Sequence, residues 1–362
     1  MRSAPERYSA RTMATDPGLE RYARQLVVPS IGEEGQRRLL AARAVVVGAG
    51  ALGCVLASTL VRAGVGRVRV IDRDLVERTN LQRQELYDEA DAAAALPKAV
   101  AAERRLRAAN PDVHVEGVVA DLTARNAERL LGDATAVLDG TDNFEARLLV
   151  NDVCVKRGIP WVYAGVISTY GHTMTVRPGE TACFRCYVSE PPPAGAVETC
   201  ETAGVIGPAV HVVAGLAAAE GLKLLAGRAG EVATGLLVLD AWARSFRRLE
   251  VRRDPECPAC ARARFDHLAG RAGADAAALC GQNAVQVRAP EDAPPADLGS
   301  VARRLEALVA SGEVRDLRAT EHLLRFGAAD LEATVFPDGR AIVKGTADAG
   351  RARSFYARYI GA

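Results

Sequence analysis

The sequence predicts an α/β chain: a doubly wound, mostly parallel sheet followed by a small C-terminal α+β module. Three observations carry that expectation. First, Ala44 to Asn80 runs from an apolar β-branched segment, Val45-Val46-Val47, through the cluster Gly48-Ala49-Gly50-Ala51-Leu52-Gly53 into a helical run, then to a strand that ends at Asp72 and Asp74. Second, strand-like and helix-like segments alternate as far as Val176, the pattern of a parallel sheet. Third, the texture changes from Asn283 to strand, proline-rich turn, helix, several strands, a Pro337-Asp338-Gly339 turn and a last helix, which reads as a separate unit.

In chain order, residues 20–40 read as a short helix, a break around Pro29 to Gly32, and a second helix entering the first strand. Cys54 to Ala63 is helical and stops at Gly64, and Val68 to Ile71 is the second strand. A polar connector follows Asn80, and Pro97 opens a helix that reaches Ala109 before Asn110-Pro111-Asp112 ends it. Val113 to Val119 is a strand, Ala124 to Leu131 a helix and Ala134 to Leu138 a buried strand. Asp139-Gly140-Thr141-Asp142-Asn143 then sits at that strand's C-terminal end, where open α/β sheets place their ligands. Phe144 to Arg157 is helical, and Pro160 to Val166 and His172 to Val176 are strands. Glu190 to Cys200 is a proline-rich loop; a small-residue helix, Gly207 to Leu225, and two strands, Leu236 to Asp240 and Ser245 to Val251, complete the first domain. The expected division is a disordered tail over 1–18, a domain over 19–268, an Ala/Gly-rich linker over 269–280 and the small module over 281–362.

Bulk properties exclude several functions. A net charge of +1 over 362 residues provides no field for nucleic acid or a membrane surface. An aromatic share of 5% argues against a base-stacking face. The opening stretch to Leu19 is polar and carries no signal-peptide core. The longest apolar region, Ala203 to Ala219, is interrupted by Pro208 and His211, so a helix buried against a sheet or a second subunit fits better than a membrane span. The eight cysteines include C-x-x-C pairs rather than a secreted disulfide framework, which places the chain in the cytoplasm.

The glycine loop, with a strand before it and a helix after it, is a cradle for phosphate, and Asp72 stands where a carboxylate can hold ribose hydroxyls. Those features alone suit an NAD-dependent oxidoreductase equally well. Asn80, Arg83 and Lys98 add an amide, a guanidinium and an ammonium that a triphosphate needs and a nicotinamide does not. Asp142, at a strand end, suits magnesium on phosphates. Taken singly, Arg83 or Lys98 reads better as a solvated surface charge; as a set around one crevice they point to function. Cys183-Phe184-Arg185-Cys186 and Cys257-Pro258-Ala259-Cys260 offer four thiolates for a closed structural zinc site, the competing reading being one redox pair and one incidental pair. Cys54, Cys154 and Cys280 read as packing residues, and His172 and His211 as satisfied core or loop histidines.

With these motifs in this order, residues 20–262 resemble the ThiF/MoeB/HesA group, relatives of ubiquitin-activating enzymes. The resemblance rests on Arg21-Tyr22-Ala23-Arg24-Gln25, the glycine loop, Asp72-Arg73-Asp74, Asn80-Leu81-Gln82-Arg83-Gln84, Pro97-Lys98, Asp139 to Asn143, both C-x-x-C pairs and Glu198-Thr199-Cys200. It implies an ATP-dependent adenylyltransferase that activates the C-terminal Gly-Gly of a ubiquitin-like sulfur carrier and releases pyrophosphate. The carrier is ThiS-like, for thiamine biosynthesis; a MoaD-like carrier of the molybdopterin pathway is the alternative. A non-catalytic carrier-binding scaffold is a further class. On this resemblance Gly48, Gly50, Ala51, Gly53, Asp72, Asp74, Asn80, Arg83, Gln84, Lys98, Asp142 and Asn143 bind the nucleotide, with magnesium on Asp142. Arg24 reaches into the partner subunit's site, implying a homodimer. Cys200 matches a position at which some members link covalently to the carrier, and a sulfur-donor enzyme completes the partners. Ala51 stands where members often have Gly. The C-terminal module matches the tail of longer bacterial ThiF-type proteins, and is not a rhodanese-type domain, because no cysteine follows Cys280 to carry a persulfide.

Overall fold

The computed structural model describes residues 17–191, 198, 200–270, 276–279, 283–287 and 296–361. Contacts divide them into two units, the larger holding the residues up to Pro191 and again from Gly204, the smaller holding residues 200–203 and those from 276 onward.

In the larger unit β1 (Arg43–Val47), β2 (Arg67–Asp72), β3 (His114–Val119), β4 (Ala136–Asp139) and β5 (Trp161–Ile167) lie parallel in the order β3-β2-β1-β4-β5. β6 (Tyr170–Val176), β7 (Leu236–Asp240) and β8 (Ser245–Leu249) continue the sheet as an antiparallel meander. The helices are α1 (Ala23–Leu26), α2 (Gly32–Ala41), α3 (Ala51–Arg62), α4 (Glu89–Ala93), α5 (Lys98–Ala109), α6 (Ala127–Leu131), α7 (Phe144–Arg157) and α8 (Phe184–Tyr187), with α9 (Cys200–Ala203) in the smaller unit and α10 (Gly207–Leu225) in the larger.

The apolar run of β1 is unbroken because both faces are covered. Val45 and Val47 pack with Ile71, Val137 and Trp161 under α6 and α7. Ala44 and Val46 pack with Val70, Leu138 and Val162 under α3, α5 and α10. Small residues bring α10 close to the sheet: a Cβ on Gly221 would stand 2.8 Å from the Leu138 side chain. α10 is long and apolar enough to cross a membrane, yet half of it is buried against α3, β4, β5 and β6. The chain order 3-2-1-4-5 reverses direction between β1 and β4, and this switch point opens a crevice at the strands' C-terminal ends.

The smaller unit is a six-stranded antiparallel sheet in the order β11-β12-β13-β14-β10-β9, from β9 (Ala276–Leu279), β10 (Ala284–Val287), β11 (Val314–Ala319), β12 (Leu324–Ala328), β13 (Leu331–Val335) and β14 (Ala341–Lys344). Its core joins Phe326, Val335 and Val343 to α11 (Leu298–Ala310) and α12 (Ala349–Tyr359), each capped by an aspartate, Asp297 and Asp348.

Two elements differ from the sequence reading. Ala276–Leu279, composed like a linker, pairs antiparallel with β10, because a strand edge satisfies backbone groups that Ala-rich composition leaves uncommitted. α6 starts at Ala127 rather than Ala124, since the Asn126 side chain accepts from Thr123 N and donates to Asp121 O, holding a turn where the helix would have begun.

Candidate active site

The crevice is framed by backbone. Val47 is level with Ile71 on one side and Asp139 on the other. Gly48 turns away from β1 at φ +87°, where its missing Cβ would stand 2.8 Å from Gly140 O. A Cβ on Gly53 would collide with Gly48 O at 1.9 Å. Gly48, Gly53 and Gly140 are therefore required for loop, helix and strand end to meet. Gly50 is different: around its position the nearest atom to a Cβ is Gln84 Nε2 at 3.9 Å, which leaves the backbone open to approach. Gly50 is the N-cap of α3, and no side chain caps that 12-residue helix. Its first-turn N–H groups are free to meet an anion. Ala51 is the first helical residue and half-buried.

Asp72, at the end of β2, holds this loop in place. Its Oδ2 accepts from Ala49 N at 2.6 Å and its Oδ1 from Asp74 N at 2.7 Å. Burial, with the neighbouring Asp74, raises its pKa, while Lys98 pulls the other way. Ala49 O accepts from the Tyr87 hydroxyl at 2.6 Å and from the Cys54 thiol at 3.4 Å. Burial pushes that thiol up to about 12, so Cys54 is a packing residue rather than a nucleophile. Lys98 opens α5, and its Nζ lies 3.3 Å from Asp74 Oδ2. Burial opposes its charge, but Asp74, Asp72 and Asp142 outweigh that and hold its pKa above the ordinary lysine value. Lys98 is thus a buried, fully charged ammonium at the crevice wall.

At the end of β4, Asp139 accepts from Thr141 N and Thr141 Oγ1 through Oδ1, and from Arg147 Nε through Oδ2. Asn143 caps α7 by accepting from Ala146 N at 2.8 Å. Asp142, between Thr141 and Asn143, is exposed. Across the crevice the segment after Asp74 forms an arm. Asn80 Oδ1 accepts from Glu77 N, Arg83 Nη1 donates to Thr79 O at 3.0 Å, and Gln84 is buried with its Oε1 unpartnered. His211 pins this arm to α10, one ring nitrogen 2.9 Å from Glu85 Oε2 and the other 2.9 Å from Gly207 O. It is a satisfied histidine, as the sequence implied, but it stands exposed on a helix rather than in the core or a loop.

The glycine loop, Asp72, Asp74, Lys98 and Gln84 thus meet around one opening, with Asp142 close enough to bear on Lys98. Arg24 is not there. It is exposed on α1, whose Gln25 donates to Ala63 O at 3.0 Å, at the far end of α3. That is about 18 Å from the loop along a helix of this length. The sequence reading did not assign Asp139, Arg147 or Tyr87; an acid closing a strand with an arginine on the next helix was the available signal for the first two. Cys200 opens α9, and its side chain, like Cys280, lies outside the described residues.

Away from the crevice, Cys183, Cys186, Cys257 and Cys260 converge with all four Sγ within 4.8 Å. The separations are 3.9 Å for Cys183–Cys186, 3.6 Å for Cys183–Cys257 and 3.5 Å for Cys186–Cys260. Tetrahedral Zn–S bonds of about 2.3 Å require S···S edges of about 3.8 Å, so the sulfurs fit zinc. The Cys186 thiol is pushed down to about 5, first by its hydrogen bond with Cys183. Asn151 fixes the first knuckle by accepting from Phe184 N at 2.9 Å.

Comparison with known proteins gives a consistent picture. A family model described as "ThiF family" matches residues 22–259. A Bacillus subtilis (strain 168) protein named "Sulfur carrier protein ThiS adenylyltransferase" is 44% identical over 349 residues, covering 94% of this chain and 99% of the relative. A Thermus thermophilus "Sulfur carrier protein adenylyltransferase" is 44% identical over 272 residues, covering 74% and 98%. Among solved structures, E. coli MccB with MccA-N7isoASN shares the fold at a TM-score of 0.60 and 21% identity, covering 68% of this chain and 76% of that one.

Proposed function

The chain belongs to the ThiF family, and from that premise we propose that it is an ATP-dependent adenylyltransferase that activates the C-terminal glycine of a ThiS-like sulfur carrier for thiocarboxylate formation in thiamine biosynthesis. One observation carries the reading. The uncapped N-terminus of α3 opens beside a buried, charged Lys98 and the exposed carboxylate of Asp142, at the switch point of the sheet. A triphosphate carries more negative charge than a dinucleotide's pyrophosphate, and a buried ammonium beside a cation-binding carboxylate suits it better.

In this reaction the carrier's carboxylate attacks the α-phosphate of ATP, forming the acyl-phosphate bond as pyrophosphate leaves. No side-chain nucleophile takes part. The barrier lies in bringing two anions together and in charge gathering on the phosphate oxygens. The α3 N–H groups, Lys98 and, with a swing from Thr79 O, Arg83 offset that charge, each worth on the order of 3 kcal/mol. Asp72 has spare lone pairs for ribose, and Asn80, Gln84 and Asp74 line the same opening. A magnesium ion bound on Asp142 would neutralise phosphate charge. Zinc on the four cysteines is structural, because four thiolates leave no open position, and thiolates held reduced fit a cytoplasmic enzyme.

Arg24 enters through a second copy. On α1, anchored at the far end of α3, it is too far from the loop to serve its own site, and the outward face of α10 carries Val212, Gly215 and Ala219, small and apolar, for a homodimer seam. Cys200 has a later role: its thiolate attacks the carbonyl of the acyl-adenylate, forming a thioester as AMP leaves, before a donor enzyme supplies sulfur. A MoaD-like carrier is the second reading, favoured by relatives such as pig "Adenylyltransferase and sulfurtransferase MOCS3", 42% identical over 66% of this chain and 52% of that protein.

The test is ATP–pyrophosphate exchange with purified ThiS-like and MoaD-like carriers, each ending in Gly-Gly. Exchange is expected with the ThiS-like carrier, and Arg83→Ala is expected to lose most of it while staying folded. Tight NAD binding without exchange would replace the reading by an oxidoreductase.

A further inference from the structure

Arg147 is the least expected charge in the molecule. It lies on the first turn of α7, is 7% exposed, and faces Asp139, which is fully buried. Its Nε donates to Asp139 Oδ2 at 3.2 Å and its Nη2 to Thr141 O at 2.6 Å. Its guanidinium carbon sits 5.3 Å from the centre of the Phe144 ring and 5.2 Å from that of Tyr163. Room for this arrangement depends on Gly165, where a Cβ would stand 2.7 Å from the Tyr163 hydroxyl and 3.6 Å from Arg147 Nη2.

A buried ion pair is a poor way to gain stability, because desolvating two charges offsets most of their attraction and an apolar pair of similar volume does as well. What the pair supplies is geometry. Asp139 holds Thr141 by its N–H and its hydroxyl, and Arg147 holds the same residue by its carbonyl. On the other side Asn143 is locked as the cap of α7. Asp142 lies between two pinned neighbours. Its side chain is exposed, but its backbone has little freedom.

We propose that Arg147 is a positioning residue for the adenylylation reaction: with Asp139 it fixes the place of the Asp142 carboxylate at the mouth of the glycine loop, and so sets how tightly the site holds the divalent cation that accompanies the nucleotide. The inference rests on the functional reading above, which puts the cation on Asp142. Arg147 itself touches neither cation nor nucleotide; it works through Thr141, as the outer partners of metal ligands do. Its charge also bears on Asp142 directly, since Asp142 is among the acids that favour its protonated form.

The test uses the full-length protein, Mn2+ as a paramagnetic stand-in for magnesium, and a non-hydrolysable ATP analogue, with free Mn2+ read by electron paramagnetic resonance. Four variants are compared with the parent: Arg147→Met, Arg147→Lys, Asp142→Asn and the Arg147→Met/Asp142→Asn double. Losing the fork should weaken Mn2+ binding in the nucleotide complex about tenfold, with metal-free nucleotide binding unchanged. In the Asp142→Asn background the same change should add nothing, because the two residues act on one ligand. An equal loss in both backgrounds would mark Arg147 as a general structural residue and overturn the proposal, as would unaltered Mn2+ binding in Arg147→Met. Zinc content and melting temperature check the fold. If the Met variant does not fold, Arg147→Lys carries the same comparison, since it keeps the cation but loses the two-point grip. Normal Mn2+ affinity in Asp142→Asn would instead sink the placement of the cation, and absence of any Mn2+–nucleotide complex in the parent would sink the adenylylation reading itself.

Discussion

Lys98 and His211 are both cations beside carboxylates, but their surroundings give them different tasks. Lys98 is 7% exposed and shares Asp74 with Arg73, so its charge persists at any pH the protein meets. His211 is exposed and bridges Gly207 O and Glu85. A neutral imidazole has one N–H and can donate to only one of them. Its hydrogen bond to Gly207 O, and then Glu85, raises its pKa above that of a free histidine. The folded pKa being the higher one, the bridge stabilises fully below the unfolded value, about 6.5, and fades as pH rises through the raised value. For so exposed a pair the contribution is under about 1 kcal/mol. His211→Gln should therefore lower the melting temperature slightly at pH 5.5 and not at pH 9. A constant difference at both would mean that the bridge does not titrate.

Among the elements, the two C-x-x-C knuckles are the clearest case of a long-range constraint. They bring α8 and residues 257–260 to one point, and structural zinc contributes roughly 10 kcal/mol or more to such folds. Cys257→Ser is expected to lose zinc and melting temperature together. About one zinc per chain by mass spectrometry with an unchanged melting temperature would refute a zinc clip. The glycine loop illustrates the limits of reading an element from sequence. Its strand, turn and helix were legible because the apolar run, glycine spacing and acid after the second strand are local signals. The division of labour was not: Gly48 and Gly53 serve packing against Gly140, and only Gly50 faces open space. That depends on β4, which arrives some ninety residues later in the chain. The same holds for Arg147, whose guanidinium lies against the Tyr163 ring of β5 and is buried with its partner Asp139.

For the whole molecule, the position of Arg24 yields the sharpest expectation. Gln25 and Gln36 both donate to Ala63 O, anchoring α1 and α2 to the end of α3 away from the loop. If each site borrows Arg24 from its neighbour, Arg24→Ala and Asp142→Ala should each be inactive alone, and a mixture should regain up to about a quarter of parental exchange through hybrid dimers, which carry one intact site. No recovery in a mixture shown to exchange subunits would place Arg24 outside the reaction.

The doubly wound architecture, the nucleotide crevice at its switch point and the thiolate set were determined by the sequence alone, because each is written in short-range patterns: β-branched runs, glycine spacing, paired cysteines. Only the tertiary structure decided which charges are buried and which are free. Burial is a property of what packs over a residue, so the same motif holds Arg147 at 7% exposure and leaves Asp142 in solvent five positions earlier. In a low-dielectric interior that difference separates a group that sets geometry from one that can meet a ligand.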